Sequence, residues 1–495
     1  MTARATVGLL AVLILPAVAA AQTPGATRPE PQWEAFIAAG ASDRKTSVAA
    51  LEAIAAGWRD DYASMIVDLA RFLPSPRAAR ATDDQPGLDA GEADGGGAAG
   101  LRGGDMPTAV RQPAGSEVRR RLTEFLQKQT GQRFGDDLRA WRKWIWARPT
   151  QPHARYAEFK AELYARIDPR FRQLFTPGVK TAIRLDEVDW GGVPVNGIPP
   201  LRRPKTESGA DAKWLRDGHI VFGLVVNGEA RAYPKRILAW HEMAIDRLGG
   251  VDLTVVYCTL CGTVIPYEST VAGRTLGFGT SGLLYRSNKL MFDQETGSLW
   301  SALDGVPVVG PLVGFDVRLS FHPVVTTTWG EWKREHPDTT VVSIDTGFER
   351  DYGENAAYRD YFSHDRLMFE TPTSDTRLKN KAEVVALRPE VTGGTAAAIP
   401  VETLRRTPVF AFEIGARRLV AITSKGGANR VFDRGDRTFA PGPDDRTVVD
   451  DRGGAWTVTN TALIAADGQR IPIVPSHRVF WFGWVAQHPT TTLIR

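Results

Sequence analysis

Cysteine is nearly absent: the 495-residue chain has two, Cys258 and Cys261. Two are too few for the disulfide framework that stabilises small secreted domains, and a chain this long can bury two or three hydrophobic cores without one. Long apolar runs are also scarce. One stretch, Val7 to Val18, is apolar apart from Gly8 and Pro16; it is shorter than the ~20 residues a spanning helix needs, and no second one follows. Charge of one sign is not in excess, since Lys+Arg 61 against Asp+Glu 57 leaves +4 with the basic residues scattered. That pattern carries no nucleic-acid footprint, so no nucleic-acid partner is expected. A Walker loop, a dinucleotide fingerprint and a G-x-S-x-G elbow are missing, and His241-Glu242 lacks the second histidine of a zinc-protease helix. No nucleotide cofactor is expected.

What is present is ordinary globular composition, 43% hydrophobic and 24% charged, which excludes disorder of the whole chain. Arg4, the apolar run and Ala19-Ala20-Ala21 read as an export signal over residues 1–21, with a mature chain starting near Gln22. The expectation is an exported protein, periplasmic or extracellular, soluble unless the signal segment stays uncleaved and tethers it.

Residues 22–73 form the first part of a helical region, with Leu51, Ile54 and Trp58, then Met65, Ile66, Leu69 and Phe72 at helical spacing, which predicts two helices. Residues 74–116, rich in Gly, Pro, Ala and Asp around Gly95-Gly96-Gly97, bury too little to offset their ordering entropy and read as a flexible insertion. Helical spacing returns over 117–176, in Val118, Leu122, Phe125 and Leu126, in Leu138, Trp141, Trp144, Ile145 and Trp146, and from Tyr156 to Phe175. These helix pairs are the candidate surface for a protein partner.

After Pro177 short β-branched runs take over, so the fold class is α+β. Ile220 to Val226, Asn227-Gly228 and Ala230 to Tyr233 carry the strongest short-range hairpin signal. A short helix is expected to open near Pro234 and close at Gly249-Gly250. The β-rich part reads as two diverged copies of one unit, 177–345 and 381–495, joined by a linker, 346–380. Ala232-Tyr233-Pro234 corresponds to Ala398-Ile399-Pro400, the strand Leu253 to Tyr257 to Arg418 to Thr423, and the Trp300 region to the Trp456 region. Trp329-x-x-Trp332-x-x-x-His336-Pro337 returns as Trp481-x-x-Trp484-x-x-x-His488-Pro489. This spacing puts both tryptophans and the histidine on one helix face, a buried aromatic face with the histidine hydrogen-bonded nearby or, alternatively, a ligand or acid/base group.

Chemistry concentrates at Cys258-Thr259-Leu260-Cys261-Gly262, between a strand from Val251 to Tyr257 and another through Thr263, Val264 and Ile265. A C-x-x-C-G turn between strands is the metal-knuckle arrangement, in which the glycine accepts positive φ and both sulfurs face one ion. A redox dithiol usually starts a helix, where the dipole lowers its pKa, and here Pro266 and β-branched residues follow instead. The leading expectation is a transition metal, copper or zinc, held by Cys258 and Cys261 with His241 assisting. His241 shares a three-four-three stripe with Leu238, Ile245 and Leu248, so it is equally a candidate core histidine. Two further readings stay open for the pair: a thiol–disulfide exchanger, and structural cysteines in a non-enzymatic partner-binding scaffold. Whether any reaction is catalysed is left open. Downstream, Asp293 to Trp300 reads as a hairpin turning at Gln294 to Gly297, or as a pocket bringing Ser281, Tyr285, Asp293 or Glu295 toward the cysteines. In the second copy Ser424 and Gly427 stand where the cysteines would be and Thr407 near the place of His241, so one copy is functional and one is scaffold.

Several motifs together point to a family: Ala230-Arg231-Ala232-Tyr233-Pro234, Trp240-His241-Glu242, Tyr257-Cys258-x-x-Cys261-Gly262, Gly279-Thr280-Ser281-Gly282-Leu283-Leu284-Tyr285, Glu295-Thr296-Gly297-Ser298-Leu299-Trp300, Thr327-Thr328-Trp329 and Arg350-Asp351-Tyr352-Gly353. Over roughly residues 180 to 495 the chain resembles the DUF3179 domain family, exported or membrane-attached bacterial and archaeal proteins of unknown function. The resemblance implies no established activity.

Overall fold

The computed structural model describes residues 34–73 and 114–495. The export segment 1–21 and nearly all of the insertion expected at 74–116 lie outside the described residues. Where two helices are expected before residue 73, three form: Glu34–Ala39, Arg44–Ala56 and Tyr62–Arg71. The extra break comes from Asp43, whose carboxylate accepts the Thr46 backbone N–H at 2.8 Å and starts a new helix there. Ala114–Thr130, Leu138–Trp146, Tyr156–Tyr164 and Phe171–Leu174 complete the helical region. Among the described residues no helix is long and apolar enough to cross a membrane.

The helices bury their stripes in one core with Val188, Leu283, Leu290 and Leu299 of a five-stranded sheet. Buried charges fix that junction. Lys160 Nζ donates to Asp68 (2.8 Å), Tyr164 and the Val188 carbonyl (2.7 Å), and Asp189 receives Arg71 and Arg142. Each charge is paired and hydrogen-bonded, which is the condition for burying it.

The β-rich part contains two sheets with one connection pattern. In the first, Val324–Thr328, Ile220–Val226, Glu229–Pro234 and Thr340–Val342 lie side by side, two antiparallel junctions followed by a parallel one. In the second, His477–Phe480, Glu383–Leu387, Ala397–Pro400 and Thr492–Leu493 repeat that order of directions. The hairpin forms where expected, with Asn227 and Gly228 at φ 48° and 86°. Trp329–Glu335 and Trp481–Gln487 are helices. Their local bonding matches: Trp332 and Trp484 donate Nε1–H to Thr339 and Thr491 at 2.8 Å, and His336 and His488 lie 4.2 and 4.1 Å from the tryptophan rings.

One element differs from expectation. The helix opening at Pro234 ends at His241, seven residues before Leu248, because Glu242 takes φ 55° and closes it. Met243–Leu248 is a strand that turns at Gly249-Gly250 into Val251–Cys258. Ile245 and Leu248 therefore share a sheet, not a helix face, with the stripe's other members. The hairpin reading of the Asp293 region holds: Asp293 accepts from Thr296 and from Trp300 Nε1, and Asn288–Asp293 pairs with Leu299–Ser301.

Candidate functional site around the cysteine turn

Val251–Cys258 and Thr263–Glu268 pair up to Cys258 opposite Thr263, which leaves a four-residue connection containing Cys261. Gly262 sits at φ 63°, as a turn this tight requires, and a Cβ there would lie 2.9 Å from the Phe480 ring. Cys258 and Cys261 are joined by a disulfide and are 1% and 0% exposed. The connection is clamped on all sides. Thr259 donates its hydroxyl to Glu242 (3.5 Å), the Leu260 carbonyl accepts from Tyr361 O–H (2.8 Å), and the Cys261 carbonyl accepts from Phe480 N–H (2.7 Å).

Glu242 is the centre of the surrounding polar cluster. One carboxylate oxygen accepts from Thr259 and from Tyr358 O–H (3.3 Å), and the other is paired with Lys289 Nζ. Burial pushes the Lys289 ammonium below its ordinary range, and the Glu242 charge opposes that push. Burial also raises the Tyr358 hydroxyl well above the usual tyrosine value, and the Glu242 carboxylate adds to it. Glu242 holds its left-handed backbone without being glycine, and such conformations concentrate at functional sites.

His241 points elsewhere. It is fully buried, with Nδ1 2.9 Å from the Pro199 carbonyl and Nε2 2.6 Å from Tyr352 O–H. Nδ1–H donates to the carbonyl and Nε2 accepts from the tyrosine, so the neutral ring is fully used. Burial lowers its pKa to about 4, with the Pro199 hydrogen bond opposing and Arg350 assisting. Of the three residues expected to hold copper or zinc, the structure thus joins Cys258 to Cys261 and hydrogen-bonds His241 to other partners. Among the described residues no three His, Cys, Asp or Glu side chains gather as a metal site requires.

The alternative site residues are also accounted for. Ser281 Oγ donates to the Leu290 carbonyl at 2.5 Å, and Glu295 accepts from Gly277 N–H. His336 Nε2 accepts from the Asn460 amide at 2.8 Å, and His488 Nε2 lies 3.3 Å from Asp304. The groups that sequence reasoning missed are Lys289, Tyr358, Tyr361 and the role of Glu242. Tyr352, Tyr358 and Tyr361 all come from the segment read as a linker, and each is buried in the largest core. The signal for them was the Arg350-Asp351-Tyr352-Gly353 motif, and for Lys289 a lone cation in an apolar strand.

A buried C-x-x-C turn, ringed by tyrosines and a carboxylate–ammonium pair on an α+β scaffold, defines the class of site. The model of the family "Protein of unknown function (DUF3179)" matches residues 195–491, and the chain belongs to that family. No curated protein and no solved structure matches the chain.

Proposed function

We propose that the protein is an exported thiol–disulfide centre, with Cys258 and Cys261 as the exchanging pair and Glu242 as its proton acceptor and donor. The observation that carries this reading is Glu242, a buried carboxylate hydrogen-bonded to the residue between the two cysteines and paired with a buried lysine. Reducing a disulfide takes two electrons and two protons, and a carboxylate beside a buried pair supplies a local proton store. A thiolate of an incoming dithiol attacks Cys258 sulfur, the S–S bond breaks, and Cys261 leaves as a thiolate that takes a proton. The second thiol of the reductant then attacks the mixed disulfide and releases Cys258, so the reductant ends as a disulfide. Both sulfurs are covered, which assigns access to movement of the segment bearing Tyr358 and Tyr361.

A purely structural staple is the weaker reading, because closing so short a loop stabilises by only about 2 kcal/mol in the chain-entropy model. The copper or zinc reading requires a reduced pair and a His241 released from Pro199 and Tyr352. Thiol trapping after equilibration with a dithiol reductant tests the proposal. Reversible conversion of folded protein between disulfide and dithiol supports it; a pair that reduces only on unfolding overturns it.

We further infer that residues 177–345 and 381–495 are diverged copies of one unit. The shared order of strand directions and the matched Trp–Thr and Trp–His contacts support this. In the second unit Ser424 and Gly426 surround Glu331 instead of a disulfide, and the residue at Glu331's place in the other helix is Gly483.

A further inference from the structure

A two-residue turn at Arg286-Ser287 joins the strands Phe278–Tyr285 and Asn288–Asp293, with both turn residues at positive φ, 48° and 61°. Glycine or asparagine normally fills such positions, so an Arg-Ser pair stores strain there. The strain presents three groups to the helix Trp481–Gln487. Asn288 Nδ2 donates to the Gly483 carbonyl (3.1 Å), Arg286 Nη1 donates to the Ala486 carbonyl (2.8 Å), and the Tyr285 carbonyl accepts from Gln487 (3.3 Å).

Asn288 is 2% exposed, and its Nδ2 also donates to the Arg286 carbonyl, which fixes which way the amide points. Its Oδ1 is buried without a hydrogen-bond partner among the described residues. Such an orphan acceptor costs about 1–3 kcal/mol and calls for an explanation. The explanation lies next to it. The point where a Cβ on Gly483 would stand is 2.7 Å from Cys261 Cβ and 3.5 Å from Asn288 Oδ1, so the orphan oxygen and the cysteine face the same gap.

We propose that Asn288 is a positioning residue for the cysteine pair: its Oδ1 accepts the Cys261 S–H when the disulfide is reduced. This rests on the thiol–disulfide reading and deepens it. In the disulfide state Cys261 has no hydrogen to give and Oδ1 stays unpaired; on reduction Cys261 gains a proton and the acceptor is met. Asn288 thereby favours the dithiol and keeps Cys261 the protonated partner, leaving Cys258 to the incoming thiol. Gly483 is required for the same geometry, since any side chain there would occupy the gap.

The test is the infrared S–H stretch of Cys258→Ser protein, in which Cys261 is the single thiol, beside Asn288→Ala in the reduced wild-type background. A stretch shifted down as for a hydrogen-bonded thiol in Cys258→Ser, and returned upward by Asn288→Ala, is expected. With it, the dithiol-to-disulfide ratio in a fixed glutathione buffer should fall about threefold to tenfold in Asn288→Ala, the scale of one hydrogen bond. A free-thiol stretch in Cys258→Ser overturns the inference and needs no Asn288 variant to fold. A bonded stretch in a protein whose wild-type pair no dithiol reduces without unfolding leaves the Asn288 contact standing and removes the redox function instead.

Discussion

Glu242 and Lys289 form an ion pair inside the protein, their side chains 12% and 5% exposed, beside the turn that holds the only two cysteines. Burying two charges loses more hydration than their attraction returns unless further hydrogen bonds complete them, and here Thr259 and Tyr358 do so on the carboxylate. Breaking one side is costly and removing both is not. Lys289→Met is expected to destabilise the protein by about 3–5 kcal/mol, and Lys289→Met with Glu242→Leu to recover most of that loss. Urea unfolding of the three variants checks the cycle. Equal losses in the single and double variants would argue that the pair is not coupled.

His241 gives the fold a pH dependence. Its folded pKa of about 4 lies below the ordinary 6.5, so between those values the unfolded chain binds a proton that the native ring refuses. Stability is therefore full above pH 6.5, falls as the pH drops through that window, and is lost below about 4. The single site contributes about 3 kcal/mol. His336, also lowered to about 4 by burial with Arg430 and Arg446 assisting, adds in the same direction. His241→Asn should flatten part of the slope of unfolding free energy between pH 4 and 6.5; an unchanged slope would remove His241 from the account.

Gly262 is constrained twice, by φ 63° and by the Phe480 ring 2.9 Å from where a Cβ would sit. Gly262→Ala is expected to cost about 1–3 kcal/mol and to raise the rate at which the cysteine pair is trapped by alkylating reagents after reduction, because it unseats the strand His477–Phe480 from the turn. Stability and trapping rate are measured on the same sample.

The two-unit reading has its own test. Thr339 and Thr491 each accept a buried indole N–H at 2.8 Å in matching positions. Thr339→Val and Thr491→Val should each cost about 1–3 kcal/mol, the price of leaving one buried donor unpaired. A large cost at one position and none at the other would set the two contacts apart.

Much of this was legible in the sequence. The Asn227-Gly228 hairpin, the strand-turn-strand around the cysteines and the buried Trp–His faces all follow from local chemistry, which the fold did not override. The segment Met243–Leu248 was not legible: Leu238, His241, Ile245 and Leu248 fit a helical period, while the break at Glu242 is a backbone state that its side chain does not announce. The polar cluster was hidden for a different reason. Glu242, Lys289 and Tyr358 are far apart in the chain, and only the long-range packing of three elements makes them neighbours. The disulfide could not be told from a metal knuckle, since both need two sulfurs on one tight turn and differ in what the third partner, His241, is doing.

The most direct measurement is a redox titration of the folded protein against dithiol–disulfide buffers, with thiol trapping and elemental analysis on the same samples. The account expects a reversible two-electron transition of Cys258 and Cys261 with the fold retained and no stoichiometric copper or zinc in the oxidised form. A pair that cannot be reduced until the protein unfolds, or one isolated as thiolates holding a stoichiometric metal that His241→Asn releases, would contradict it.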